Sequence, residues 1–579
     1  MNRDRCLRIL LTLGLLGPEA ASQAPTPPDH ETAAQRIDAY MARLAGLGFA
    51  GGVFATRGDD VIVASAWGLA DRGRGVPMTA NAVMTTGSLT KQFTGAAILL
   101  LESAGALQLD DPIDRYLPGV PDDKGAITVG HLLTHTSGLV SALGSDTDLG
   151  ATKEATRRAA WASELRSPPG THHAYSNVGY SLLAMVIEAV SGKSYEQYLR
   201  EALFEPAGMA LTGNALVDHS EALMPCGYKG GKLTPTFVDQ PMLADGPTWN
   251  LRGNGGVLST VEDMLRWHRA LTGDAIFTAA ARAKLNAPLF GDAEQGYGYG
   301  WGHLLSRRDT RMVEHDGGNT VFSADYHRYV DEGVALFVQS SVSEFMAEHV
   351  IEAIDAIVFG HDYQLPPVAR ARPGAELDAL AGVYALADGG ALHVSRIGGH
   401  LVVRADDPRG RGLLAGSQKL PTPASARRAE RWCEAISAFS RGDGEPLAAE
   451  AGSEQGAAAL TRTLRELIEM CGALESATSS VCRAVDEQEV TQIRVQFEQE
   501  SGYLALWTKG GALTRIGVDQ AAPSGLRPLA LFPTDNGFEG FDLRADAAIR
   551  VSFADEALQF LTLDAPSRVL ARAQRVARR

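Results

Sequence analysis

From Ser88 to Leu101 the chain reads as a helix that is apolar on both faces, opened by a serine and, one turn later, by Lys91. Such a helix has no solvent side, so the fold has to surround it with other elements. Gly95 lowers its helix propensity but suits close packing, and the helix stops near Gly105. Before it, Ile37, Tyr40, Met41 and Leu44 share one face of an amphipathic helix, and Val53–Thr56 and Val61–Ala66 flank a Gly58-Asp59-Asp60 turn as in a β-hairpin. The stretch up to about Gly273 is loop-rich and helical, with a second apolar helix from Val178 to Val190 closed by Gly192. Strands return at Met312–His315, Phe322–Val330 and Val334–Ser340, followed by a helix from Phe345 to Ile357. Strands at both ends of a helical centre imply an α+β domain, with Pro366-Pro367 and Pro373-Gly374 marking its boundary.

At 579 residues the chain is longer than one hydrophobic core usually supports, so two to four domains are expected. Beyond the proline boundary, Gly382–Leu386, Ala391–Ile397 and Leu401–Arg404 look like strands. Ala424 to Cys482 is helical in character, Val490–Phe497 and Tyr503–Thr508 alternate as strands, and short strands resume with Ile549–Phe553 and Leu558–Leu563. This pattern reads as a β-barrel-like module, residues 375–415 and 526–579, interrupted by an α+β module at 424–518.

Arg3, Arg5 and Arg8 precede an apolar run from Ile9 to Leu16 and the small residues Ala20, Ala21 and Ser22, the order of an export signal over residues 1–22. The run is too short to span a bilayer, so the mature chain is expected to carry no integral membrane segment and to be periplasmic or secreted. Cys226, Cys433, Cys471 and Cys482 would remain after cleavage, with their pairing open. No Cys/His cluster has metal-ligand spacing, and neither a metal nor a cofactor is expected. A formal net charge of -16 disfavours a surface that tracks phosphates, so nucleic acid is not an expected partner.

Three short patterns carry the chemistry: Ser88-Leu89-Thr90-Lys91, Tyr175-Ser176-Asn177 and His315-Asp316-Gly317. Each is weak alone, since Ser-x-x-Lys is commonly just a helix start with a solvated lysine. Yet no other lysine has a serine three positions earlier, no other tyrosine an asparagine two positions on, and no other histidine a glycine two positions on. Ser88 and Lys91 share a helix face, so the amine can reach the hydroxyl, and serine is a poor nucleophile without such help. Tyr175 supplies a second proton-transfer group, and Asn177 is expected two residues along an extended loop, on the same side.

This combination resembles the serine β-lactamase and penicillin-binding-protein superfamily, in particular its class C β-lactamase, esterase and D-stereospecific peptidase branch. His131-Leu132-Leu133-Thr134-His135-Thr136-Ser137-Gly138-Leu139, Leu109-Asp110-Asp111-Pro112 and Gly255-Gly256-Val257-Leu258-Ser259-Thr260 extend the likeness and read as structural segments, His131 and His135 as fold histidines. The resemblance implies a β-lactamase-like domain over 30–362, an antiparallel sheet flanked by a helical subdomain. It makes Ser88 the acylated nucleophile, Lys91 and Tyr175 its proton-transfer partners, and Asn177, His315, Asp316 and Gly317 the substrate-side support. The backbone N–H groups of Ser88 and Gly318 would form the oxyanion hole. The C-terminal strands look like a lipocalin-like module.

In the third pattern His315 stands where a lysine is usual, and Asp316 replaces a neutral hydroxyl residue. A carboxylate there is expected to repel a substrate carboxylate unless its side chain points elsewhere. The leading expectation is therefore hydrolysis of an ester or amide, of a small molecule or a peptide, through an acyl-enzyme. A β-lactamase or D-alanyl-D-alanine carboxypeptidase is the alternative enzyme, and a non-catalytic sensor of peptidoglycan fragments the alternative from another class. No pattern in the sequence sets an oligomeric state.

Overall fold

The computed structural model describes residues 27–576 apart from 236–238, 293, 387–389, 398, 416–422, 486–487, 498–500, 520–528, 536, 542–548, 555–556 and 562–568. Residues 1–22, expected from their order to be an export signal, lie outside the described residues. The chain divides into two compact units, Pro25–Tyr363 and Gln364–Arg579.

The first unit opens with α1 (His30–Gly46), capped by the Asp29 carboxylate, which accepts from Thr32 N–H at 2.8 Å. Its buried face carries Ile37, Tyr40, Met41 and Leu44. Strands β1 (Gly51–Arg57) and β2 (Asp60–Trp67) follow as a hairpin, with Gly58 in the turn at φ 59°. After them come α2 (Thr90–Ser103), α3 (Asn177–Ser191) and α4 (Val261–Thr272). Gly192 ends α3 in the left-handed conformation that glycine adopts without cost. The sheet is completed by β3 (Phe290–Gly291), β4 (Gln295–Gly298), β5 (Trp301–Leu305), β6 (Arg311–Asn319), β7 (Phe322–Tyr329) and β8 (Val334–Ser340), with α5 (Ala347–Phe359) after it.

The strand order is β2-β1-β8-β7-β6-β5-β4-β3, antiparallel at every pairing. Thus strands from the two ends of this unit, β1 and β8, pair side by side in one sheet, which is the α+β arrangement expected. β5 accompanies β6 only from Leu305↔Arg311 to Gly302↔Glu314, so the segment from His315 to Asn319 leaves its β5-side edge open.

Helix α2 is buried along almost its whole length, Lys91, Gln92 and Thr94 included. Phe93 packs on Trp267 of α4 at 5.0 Å between ring centroids, and Phe54 of β1 stacks on Phe337 of β8 at 5.4 Å. Each such side chain removed from water stabilises the fold by about 2 kcal/mol. Within this core Trp267 Nε1 donates to Gln92 Oε1 at 2.6 Å, while Gln92 Nε2 has no hydrogen-bond partner among the described residues. Gly95 has a steric reason, because a Cβ there would lie 2.0 Å from the Tyr299 carbonyl oxygen, and one at Gly300 would lie 2.2 Å from the Lys91 carbonyl oxygen. The Tyr299-Gly300 turn between β4 and β5 therefore rests directly on the backbone of α2 and fixes its height over the sheet.

In the second unit β9 (Gly382–Leu386), β10 (Ala391–Ile397) and β11 (His400–Ala405) begin a closed barrel. The chain then forms α6 (Pro423–Ser440), α7 (Glu445–Ala451) and α8 (Glu454–Cys471), followed by β12 (Leu474–Val485), β13 (Gln488–Phe497), β14 (Ser501–Lys509) and β15 (Ala512–Asp519), a separate four-stranded sheet. It returns to the barrel as β16 (Leu529–Thr534), β17 (Gly537–Phe541), β18 (Ile549–Ala554), β19 (Ala557–Leu561) and β20 (Val569–Arg575). β11 pairs with β16, Val402 opposite Ala530, and β20 closes on β9. The expected helical stretch to Cys482 ends at Cys471: Leu474 to Cys482 is strand, its β-branched and small residues pairing with β13. Among the described residues no helix is long and apolar enough to cross a membrane.

Gly95→Ala is expected to lower stability by about 1–3 kcal/mol, the usual cost of overpacking, seen as a lower urea midpoint at unchanged m-value. Parent-like stability would show that the Tyr299-Gly300 turn yields. A chain ending at Tyr363 is expected to unfold in one cooperative transition, and failure to obtain it soluble would show that later residues complete this core.

Candidate active site

Ser88 lies in a single 3₁₀ turn, Gly87–Leu89, that leads into α2, so its half-buried side chain stands at the helix mouth while Lys91 is already inside. The turn is held on two sides. Thr86 donates through both N–H and Oγ1 to the Val257 carbonyl at 3.0 and 2.9 Å, and Val257 N–H donates to Thr90 Oγ1 at 3.0 Å. On the other side Gly87, at φ 54°, meets the open edge of β6: a Cβ on Gly87 would lie 2.3 Å from Gly318 N, and one on Gly317 would lie 2.5 Å from Ser88 N. Glycine at 87 and 317 thus lets the two backbones touch, bringing the amides of Ser88 and Gly318 into one neighbourhood.

Lys91 Nζ stands 3.1 Å from Ser88 Oγ and donates to the Asn254 carbonyl at 2.7 Å. It lies over the ring of Tyr175 at 4.8 Å from the centroid and over Tyr180 at 5.6 Å. Burial holds its amine well below the ordinary lysine range, while the carboxylates of Asp316 and Asp146 act in the opposite direction. A neutral amine at this distance can take the Ser88 proton.

Tyr175 immediately precedes Ser176, the cap of α3, whose Oγ accepts from Gly179 N–H at 3.1 Å. Asn177 is therefore the first residue of α3 rather than part of an extended loop, because the cap starts the helix one residue after Tyr175. Asn177 N–H donates to the Ser141 carbonyl at 2.9 Å, while its Oδ1 is buried with no hydrogen-bond partner among the described residues.

His315 is buried on the same side as Tyr175, their rings 6.2 Å apart. Its Nδ1 is 2.5 Å from the Asp316 carbonyl, which can only accept, so Nδ1 carries the proton and Nε2 accepts from the Tyr297 hydroxyl at 3.0 Å. Burial pushes its pKa down to about 4, so the ring is neutral at physiological pH. The side chain of Asp316 departs from the expected position beside the scissile bond. Strand alternation sends it to the opposite face of β6, where it is buried and paired in register with Asp325 of β7.

That reverse face gathers more ionisable groups. Glu314, Asp325 and His327, from β6 and β7, bring ligand atoms within 4.8 Å of one another, a donor set able to hold a cation. His327 Nε2 lies 3.3 Å from Asp325 Oδ1; burial lowers the imidazole pKa, but Asp325 together with Glu314 and Glu352 raises it to about 9. Strand pairing creates this cluster, so the linear spacing of cysteines and histidines could not reveal it.

Residues outside the three patterns complete the site. Asn319 Nδ2 donates to Thr85 Oγ1 at 2.8 Å and to the Gly255 carbonyl at 2.9 Å, joining β6, the strand before Ser88 and the glycine segment that holds Lys91. Asn254 and Asn319 adjoin the glycine pairs Gly255-Gly256 and Gly317-Gly318, and Tyr297 sits in the run Gly296-Tyr297-Gly298-Tyr299-Gly300. Glycine density signals close backbone approach, and that was the readable clue to all three.

Residues 33–358 match the family model described as Beta-lactamase. The chain is 30% identical over 378 residues to Penicillin-binding protein 4* of Bacillus subtilis (strain 168), covering 60% of this chain and 82% of that protein. It is 30% identical over 286 residues to D-aminopeptidase of Brucella anthropi, covering 46% of this chain and 51% of that protein, about half of its length. In fold it is similar to the solved structure of the octameric penicillin-binding protein homologue from Pyrococcus abyssi, with a TM-score of 0.52 at 20% identity over 84% of this chain and 98% of that one. With more than half of its length matched by one family model, around a serine and a buried lysine, this chain belongs to the Beta-lactamase family and is a serine hydrolase.

Proposed function

We propose that the protein hydrolyses an ester or amide through an acyl-enzyme on Ser88. The observation that carries this reading is the desolvated Lys91 amine, 3.1 Å from Ser88 Oγ. Lys91 accepts the Ser88 proton as the hydroxyl oxygen bonds to the substrate carbonyl carbon, and the amides of Ser88 and Gly318 take up the charge on the carbonyl oxygen. Tyr175 passes a proton to the leaving group, and water then releases the acyl group by the reverse exchange. Asn177 Oδ1, buried and without a hydrogen-bond partner among the described residues, is the acceptor assigned to a substrate N–H in this reading.

The preference for substrates without a free carboxylate rests on His315 rather than on direct repulsion by Asp316. A neutral imidazole supplies no counter-charge where a lysine would supply a permanent one, and the Asp316 carboxylate behind it adds negative potential. The name of one relative, D-aminopeptidase of Brucella anthropi, supports an amide or peptide substrate, while that of another, D-alanyl-D-alanine-carboxypeptidase/endopeptidase AmpH of Escherichia coli (strain K12), supports the alternative of a peptide that ends in a free carboxylate. Export of the chain is part of the same proposal and rests on the order of residues 1–22.

Ser88→Ala is expected to abolish labelling by a fluorophosphonate and nearly all turnover of p-nitrophenyl acetate. An acyl-enzyme burst in that variant would remove Ser88 from the mechanism. Because only the neutral Lys91 amine is active, kcat/KM should rise with pH along an acidic limb placed well below pH 10.5. The Asp316 carboxylate favours the ammonium form, so Asp316→Asn should lower the Lys91 pKa further and move that limb to lower pH. A limb that stays in place or moves upward assigns it to another group.

A further inference from the structure

One buried histidine, His135, grips both neighbours of Tyr175. His135 follows the short helix Val129–Leu133 and holds a left-handed backbone, φ 58°, unusual for a residue with a Cβ. Its carbonyl accepts from Ala174 N–H at 2.8 Å, and its Nδ1 accepts from Ser176 N–H at 3.0 Å. The residues before and after Tyr175 are thus tied to one side chain and its own backbone. The imidazole also lies against the Tyr175 ring, 4.3 Å between centroids. Tyr297 at 4.6 Å, Tyr180 at 5.0 Å and His173 at 5.7 Å enclose it on the remaining sides.

We infer that His135 is a positioning residue for the reaction: it brackets Tyr175, setting the phenol over Lys91, through an acceptor at Nδ1 and a left-handed backbone. This rests on the reading of Tyr175 as a proton-transfer group. The bracket requires a ring without a proton on Nδ1. Burial enforces that, and Tyr175, Tyr180 and Tyr297 pack against its ring; His173, Lys91 and His315 face it as well and would oppose its charge only when themselves protonated. Nε2 then carries the hydrogen and finds no hydrogen-bond partner among the described residues. Keeping a buried donor unsatisfied is costly, which is the mark of a ring selected for what its other nitrogen does.

Two isosteric variants separate this role from simple core filling. Asparagine tolerates the left-handed backbone and places Oδ1 where Nδ1 stands, whereas glutamine moves its acceptor toward the ε position. His135→Asn is expected to keep kcat for p-nitrophenyl acetate within about 3-fold of the parent, and His135→Gln to lose about 10-fold or more at little change in KM, the split expected for misplacing an acid–base group. Tyr175→Phe should cost about 10²-fold, and combining it with His135→Gln should cost no more, since the histidine acts through the tyrosine.

Additive losses in the double variant would overturn the bracket, as would an asparagine variant that falls as far as the glutamine one. Should the glutamine variant fail to fold, His135→Asn decides alone, with a loss of about 10-fold or more in kcat counting against the proposal. If Tyr175→Phe keeps parental kcat while Ser88→Ala is dead, the failure belongs to the role given to Tyr175 and the bracket falls with it. Parental turnover in Ser88→Ala places the failure in the whole acyl-enzyme reading.

Discussion

The site is organised by the cost of removing the Lys91 ammonium from water. A buried, unpaired cation of this size is disfavoured by several kcal/mol, so burial pushes the amine toward its neutral form, and no carboxylate forms an ion pair with it among the described residues. The neighbours fit a neutral group: a backbone carbonyl at Asn254, the faces of Tyr175 and Tyr180, and the Ser88 hydroxyl. Asp316 and Asp146 act from farther away and temper the shift. His135 and His315 are kept uncharged by the same dry surroundings, so the polar groups around Ser88 are tuned together.

Dryness demands close contact, and glycine supplies it. Gly87 and Gly317 bring the Ser88 turn against β6, while Gly95 and Gly300 bring α2 against the turn between β4 and β5. At each contact main chain meets main chain with no side chain between, which leaves no room for water and little freedom to slide. The position of Ser88 is therefore a property of the sheet as much as of its own helix. Asn319 adds a hydrogen-bonded tie between the two.

Much of this was legible in the chain itself. The double-sided apolar run after Ser88 announced a buried helix, and the strand runs before and after the helical centre announced a mixed α and β domain. The hydrogen-bonded pair Ser88 and Lys91 follows from helix geometry alone. What could not be read depends on non-local pairing. The face taken by Asp316 is set by the register of β6 with β7, and the partners of His135 lie in segments far along the chain. The helix limit at Cys471 was missed because alanine and serine between Leu474 and Cys482 weigh little toward a strand until β13 lies beside them.

The interrupted barrel has a consequence for the order in which the chain can assemble. β9, β10 and β11 leave a ribosome well before β16, so β11 waits with an unpaired edge, a surface prone to wrong pairing. The entropy of closing the gap grows with the logarithm of the free loop, about 0.6 kcal/mol for each doubling. A folded α6–β15 module replaces most of that loop by one rigid body, leaving short connections to close. Folding of the inserted module thus lowers the entropic cost of bringing β16 to β11, and with it the cost of covering that edge.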